Sequence, residues 1–332
     1  MILIITIIIA IGFSFLLTLL AKKIKIPVVV ALIFAGLMLG IPLVKNYLIE
    51  PNTKIIFSLG DIGLLFLMFL AGLESSWMII YKEKRDAVFI AIFAALVPFI
   101  LGFIVFYLLG FSVLVSAIIG ICMSITAEAT KARVLLELNK LKTRVGSALM
   151  GAGIIDDIIG LCLFILITYL AKQVYLKEDF LITGSIAAFF IGILVERRLG
   201  RKNKLLNSIK KLLLIFIIPF FFISMGLNFN ISSLILNPKL LIIIILIAIT
   251  GKLIGTVLTK PFTKFKFKQL YLIGWAMNSR GAVELAIALI AFRSSLIPVE
   301  IYSALVIMAL LTTFIFQFII TSMIKKNPDI MN

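Results

Sequence analysis

Long apolar runs alternate with short polar clusters along the whole chain. The runs are roughly 17–25 residues long, the span of a helix across a bilayer. They predict eleven helical segments: 1–21, 27–44, 55–73, 87–109, 112–138, 145–171, 182–196, 212–227, 240–259, 269–292 and 299–323. Turn signals such as "KIKIP", "EPN", "NPK" and "TKP" fall between them. The first segment, "MILIITIIIAIGFSFLLTLLA", is too long for a signal-peptide core. It also lacks a basic N-terminal region and a small-residue cleavage site, so it is read as a helix.

Composition strengthens this picture. Hydrophobic residues make up 63% of the chain and charged residues 14%, and the mean hydropathy is +1.24. A soluble domain is about 45–50% apolar and about 25% charged. The expected fold class is therefore an all-α polytopic membrane protein with the lipid bilayer as its solvent, and no soluble domain at either end. A net charge of +17 would suggest nucleic acid in a soluble protein. Here lysine and arginine mark cytoplasmic loops instead, and no nucleic-acid partner is expected. With the N-terminus outside, 24 of the 32 Lys and Arg fall in cytoplasmic loops and 6 in outer loops, while Lys252 and Arg280 stay inside helices. That asymmetry predicts an outside N-terminus, a cytoplasmic C-terminus and an odd number of helices. Cys122 and Cys162 both lie in apolar runs and imply no disulfide framework. The chain has no histidine, so His-based metal sites and His-based pH sensing are excluded.

The polar residues left inside the apolar runs are the candidates for chemistry. In "GAGIIDDIIGLCLFILI" (151–167), Asp156 and Asp157 sit side by side. Each carboxylate costs about 2.5–3.5 kcal/mol at the centre of a membrane helix. Neighbours on a helix point about 100° apart, so two roles are more natural than one shared role. Two carboxylates out of bulk water do not both ionise freely unless a cation compensates. Such a site can exchange a proton for a metal cation. Lys252, in "IAITGKLIGTVL", is the obvious compensating cation for one aspartate. The plainer readings are a buried ion pair that only joins helices and a lysine that snorkels to the interface. Asp61 and Glu74 lie near opposite ends of the third segment.

Two segments have polar centres. Ser124, Thr126, Glu128 and Thr130 interrupt the fifth, and Asn278, Ser279, Arg280 and Gly281 interrupt the tenth. Such breaks signal discontinuous helices, whose free backbone groups bind ions near the midplane. Simpler options exist for both: Arg280 with Glu284 and Glu128 with Lys131 have the spacing of pairs on one helix face. The order of elements adds weight. A polar-centred helix precedes the aspartate helix in one half, and the lysine helix precedes a polar-centred helix in the other. The segments around them start from opposite sides of the membrane, which predicts an inverted repeat with two discontinuous crossing helices.

These residues also carry a family resemblance. The stretches "GLLFLMFLAGLE" (63–74), "SITAEATKARVLLELNKLKTRVGSALMGAGIIDDIIG" (124–160), "IPFFFISMGLN" (218–228), "GKLIG" (251–255) and "NSRGAVELAIA" (278–288) stand in this order along the chain. Together they resemble the sodium/proton antiporters of the second cation:proton antiporter family, the electrogenic bacterial and archaeal type. The resemblance implies that Asp157 binds either a cation or a proton, with Thr126 as a further metal ligand. It implies that Asp156 pairs with Lys252, that Thr126 lies in the unwound part of the fifth helix, and that Arg280 and Glu284 support the site; Ser124, Glu128 and Asn278, polar residues of the two interrupted segments, are expected to support it as well. An adjacent Asp-Asp favours the electrogenic sodium type; electroneutral relatives tend to carry Asn-Asp, and glutathione-gated potassium relatives Gln-Asp. The resemblance further implies a multi-pass protein of the cell membrane, a homodimer, and no cofactor beyond the transported Na⁺ and H⁺. It divides the chain into scaffold or dimerisation helices (1–73 and 182–227) and two halves of an ion-transport core (87–171 and 240–323). Two departures stand out. Glu128 occupies a position usually uncharged in the family. Only a short polar loop lies between Leu170 and Phe180, where relatives often carry two more helices. No regulatory domain is expected after Asn332.

The expected activity is exchange of Na⁺ or Li⁺ for H⁺ by alternating access, without enzymatic chemistry. A potassium/proton antiporter of the same fold is the nearest alternative, and an ion sensor that transports nothing a more remote one. An intramembrane aspartyl protease needs two aspartates on different helices that share a proton, whereas these two are adjacent on one helix.

Overall fold

The computed structural model describes residues 2–23, 28–74, 84–172, 179–199, 204–230, 232, 235 and 237–332. The loop cations Lys25, Lys82, Lys177, Arg201 and Lys202, and residues 173–178 of the expected polar loop, lie outside the described residues. The main helices are α1 (Ile2–Lys23), α2 (Val28–Leu39), α3 (Thr53–Glu74), α4 (Lys84–Leu108), α5 (Val113–Ser124), α6 (Glu128–Glu137) and α7 (Arg144–Lys172). They continue as α8 (Asp179–Leu199), α9 (Lys204–Phe216), α10 (Ile218–Leu227), α11 (Pro238–Leu258), α12 (Phe267–Ala276), α13 (Ala282–Arg293) and α14 (Val299–Lys326). No strand occurs among the described residues. Eight spans in them are long and apolar enough to cross a bilayer, and two shorter apolar helices, α2 and α5, accompany these.

Among the described residues all eleven predicted segments are helical, the fifth and tenth broken at their polar centres, and two others differ in outline. The second segment ends at Leu39, and tighter and wider helical turns fill 42–52 before α3 begins. Pro42 and Pro51 lack the amide protons that a continuous helix would need there. The eighth segment starts earlier, at Lys204, and is interrupted at Ile217 just before Pro219.

The chain forms two compact units. The first comprises Met1–Glu74 and Asp179–Asn230, the second Ser75–Glu178 and Ile231–Asn332. In the first unit, α2 and α10 touch backbone to backbone. A Cβ at Gly36 would lie 2.7 Å from the Ile223 carbonyl oxygen and 2.9 Å from the Gly226 Cα. Where lipid is as apolar as the side chains, such close approach of small residues supplies the packing that joins helices. Ala10, Ile56, Phe220 and Ile223 form the apolar cluster beside this contact. Gly36→Val forces α2 away from α10 and is expected to lower the melting temperature in detergent by several degrees. The matching change at Gly12, which has nothing within 4 Å, is expected to leave it unmoved.

The second unit contains the two polar-centred segments. Each lies between long helices: α5 and α6 between α4 and α7, α12 and α13 between α11 and α14. The long–broken–long order thus occurs twice, as the inverted-repeat reading requires. Ala94, Leu149, Ile273 and Phe316 contribute to one buried cluster drawn from both sets. The breaks fall at 125–127 and 277–281. Ile125 (φ −74°, ψ 148°) and Ala127 (φ −88°, ψ 115°) are extended, as is Gly281.

Candidate functional site

The two breaks are joined to each other. The Ala127 amide donates to the Ser279 carbonyl at 2.9 Å. The Ser279 hydroxyl donates back to the Ala127 carbonyl at 3.0 Å. On the next residue, the Arg280 amide donates to the Thr313 hydroxyl of α14 at 2.9 Å. Extended backbone is tolerable at membrane depth only when its polar groups are satisfied inside the protein, and these bonds do that.

The last turn of α5 leaves carbonyls without intrahelical donors. Two cations meet them. The Arg280 guanidinium donates to the carbonyls of Cys122 at 3.2 Å, Met123 at 2.7 Å and Ile125 at 2.5 Å. The Lys252 ammonium, brought by α11, donates to the Ser124 carbonyl. Positive charge is favoured at a helix C-terminus by the aligned peptide dipoles, and both cations are fully or almost fully buried.

Lys252 also contacts Asp156, at 3.3 Å to each carboxylate oxygen, and the Thr126 hydroxyl at 3.1 Å. Thr126 in turn donates its hydroxyl proton to Asp156. Asp156, Thr126, Lys252 and the Ser124 carbonyl are therefore one buried cluster, with Thr126 placed on Asp156 rather than on Asp157. Asp157 points elsewhere on α7, as the angle between adjacent helical positions requires. It is 4% exposed, and its Oδ1 has no hydrogen-bond partner among the described residues. A buried carboxylate oxygen without a donor is costly unless it takes up a proton or a cation. Asp156 is occupied by its partners, whereas Asp157 keeps an oxygen without a hydrogen-bond partner among the described residues.

The remaining expected residues fall around this centre. Ser124 spends its hydroxyl on the Ile121 carbonyl at 2.9 Å and contributes its own carbonyl to Lys252. Asn278 donates to the Gly274 carbonyl at 3.0 Å, while its Oδ1 has no partner among the described residues. Arg280 and Glu284 form an ion pair at 3.6 Å, although Arg280 lies before α13 and its guanidinium hydrogen bonds go to the end of α5 and the break after it. Their spacing suggested a pair on one helix face; the break moves Arg280 off that helix. Glu128 is the first residue of α6 and is buried.

Sequence reasoning missed Thr313. It offered Lys131 as a helix-face partner of Glu128 while counting it among the 24 cytoplasmic cations; Lys131 is 1% exposed within α6, 3.6 Å from the Met277 sulfur. Thr313 bonds the Arg280 backbone in both directions and has no periodic signature at all.

The family described as "Sodium/hydrogen exchanger, transmembrane" matches residues 9–183 and 163–326. A Na(+)/H(+) antiporter of Enterococcus hirae is 27% identical over 363 aligned positions, covering 92% of this chain and 94% of the relative. The alignment is longer than the 332-residue chain, so the relative carries residues without a counterpart here. The Na(+)/H(+)-K(+) antiporter GerN of Bacillus cereus is 24% identical, covering 87% of this chain and 88% of its own. Among solved structures, the sodium proton antiporter MjNhaP1 from Methanocaldococcus jannaschii has a similar fold, with a TM-score of 0.67 at 17% identity. The match covers 98% of each chain.

Proposed function

The chain belongs to the sodium/hydrogen exchanger family, and from that premise we propose that it exchanges Na⁺ or Li⁺ for H⁺ at Asp157. The observation that carries this reading is the buried Asp157 oxygen without a hydrogen-bond partner, one residue from an aspartate that is fully engaged. Sodium prefers hard oxygen ligands. The Asp157 carboxylate, nearby backbone carbonyls of the breaks and water supply that chemistry, with Thr126 as a candidate ligand if it leaves Asp156. A proton on Asp157 removes the charge that holds the cation, so the two ligands exclude each other. Exchange is obligatory if the empty, charged site crosses poorly.

In the alternating-access reading, the core segments 87–171 and 240–323 rock against the scaffold segments 1–73 and 182–227 and expose Asp157 to each side in turn. The positive-inside bias supports a cell-membrane protein with its N-terminus outside and its C-terminus cytoplasmic. The resemblance to the family supports a homodimer.

Electrogenic exchange follows if arriving sodium breaks the Lys252–Asp156 pair and Lys252 releases a second proton. Lys252→Gln cannot supply that proton. In liposomes with an imposed membrane potential, the wild type is expected to speed up when the potential draws positive charge in with the protons. The variant is expected to respond little. Equal responses in the two proteins would assign the extra proton elsewhere, or show that none moves.

The test of the function itself uses purified protein in liposomes that hold a proton gradient and a pH-sensitive dye. Collapse of the gradient on addition of Na⁺ or Li⁺ is the expected result. Collapse with K⁺ alone would favour the second reading, potassium/proton exchange, which the GerN relative's name keeps in view. No response to any of the three from folded protein would leave an ion sensor.

A further inference from the structure

Gly153 lies one turn before Asp157 on α7, and a side chain there would occupy filled space. A Cβ on it would run into the Lys131 ammonium and would lie 2.6 Å from the Glu128 Oε1. The head groups of Glu128 and Lys131 therefore both lie over Gly153, on the helix face one turn from the proposed ion site. Cβ atoms four apart on a helix are about 5–6 Å from each other. The charges facing Asp157 are Glu128 and Lys131 from α6, Asp156 on its own helix, and Lys252 from α11. Arg280 and Glu284 belong to the other broken segment.

The charges also add up in a particular way. The buried carboxylates around the breaks are Asp156, Asp157, Glu128 and Glu284, and the buried cations are Lys131, Lys252 and Arg280. With every group ionised the set carries one net negative charge, which a single monovalent cation neutralises. Removing Glu128 alone leaves no net charge to attract a cation. Removing Lys131 alone leaves two negative charges. Buried charges are tolerated when they are paired, so the glutamate and the lysine make sense only together.

We propose that Glu128 and Lys131 form a second carboxylate–lysine pair that sets the sodium affinity of Asp157 and its preference for singly charged cations. The proposal rests on Asp157 being the ion-binding group. Both residues act through Asp157, across Gly153.

The test measures KM and kcat for Na⁺-driven collapse of the proton gradient at one fixed pH. It compares the wild type, Glu128→Gln, Lys131→Met, the double variant, Glu128→Asp, and Asp157→Asn as a blank. Each protein is checked for monodispersity in detergent. Glu128→Gln is expected to raise KM about tenfold or more, and Lys131→Met to lower it and make transport sensitive to Mg²⁺. The double variant restores the single net charge and is expected to return KM to within about threefold of the wild type, as is Glu128→Asp. Shifts of the same sign in both single variants, or an unchanged KM with only kcat reduced, would overturn the proposal. If a single variant does not fold, the double variant and Glu128→Asp decide it: a KM far from the wild-type value in either would overturn it. An inactive wild type would instead sink the antiport reading. An active Asp157→Asn protein would move the ion site away from Asp157.

Discussion

Asp157→Asn is expected to abolish Na⁺- and Li⁺-driven collapse of a proton gradient while leaving the protein folded. Asparagine has nearly the same shape, so the packing of α7 is unchanged. It neither ionises nor takes up and releases a proton, so it removes both ligand states at once. At an effective dielectric constant of about 20, a direct carboxylate–cation contact is worth several kcal/mol, which is more than about a hundredfold in affinity. The readouts are dye recovery in liposomes and a melting curve in detergent. Full activity in a folded variant would show that the orphan oxygen of Asp157 is not where the cation binds. The matching change at Asp156 acts differently. It leaves Lys252 without its carboxylate partner and disturbs Thr126, so it is expected to cost stability as well as transport.

Arg280→Ala is expected to have the largest effect on stability. The guanidinium holds three carbonyls at the end of α5 and stands 3.6 Å from Glu284. Its loss leaves those acceptors and a buried carboxylate uncompensated, a cost of about 3–5 kcal/mol when one partner of a buried pair is removed. The melting temperature should fall by roughly ten degrees. Arg280→Lys should recover only part of this, because one ammonium cannot reach the three carbonyls that the flat guanidinium spans. Adding Glu284→Gln to Arg280→Ala should recover another part, since it removes the stranded carboxylate. An unchanged melting curve in Arg280→Ala would mean that water satisfies the end of α5 and that the arginine holds nothing together.

Much of this arrangement was legible in the sequence, for a physical reason. Polar residues are so costly in an apolar helix that each one announces either a break or a partner. That logic located both discontinuities and the contact between Asp156 and Lys252. It failed where the cause was not local. Arg280 and Glu284 have the spacing of a pair and do approach to 3.6 Å, but nothing in the sequence tells that the arginine also serves carbonyls more than 150 residues away. Thr126 could not be apportioned between adjacent aspartates that diverge by about 100°. The spacing of Glu128 and Lys131 allows a pair on one helix face, but a lysine near the end of an apolar run also counts as a cytoplasmic marker; the burial of Lys131 is a tertiary fact. The interruption at Ile217 was within reach, since Pro219 is visible in the sequence.

Every residue of the proposed ion site, from Ser124 to Glu284, comes from the second compact unit. Heredity can therefore treat the two units differently. A gain or loss of helices in the first changes no cation ligand, whereas within 124–160 or 251–288 even a one-residue shift would turn a charge into lipid or strand a carbonyl. The spacing of the two breaks is then the part that descent is obliged to keep.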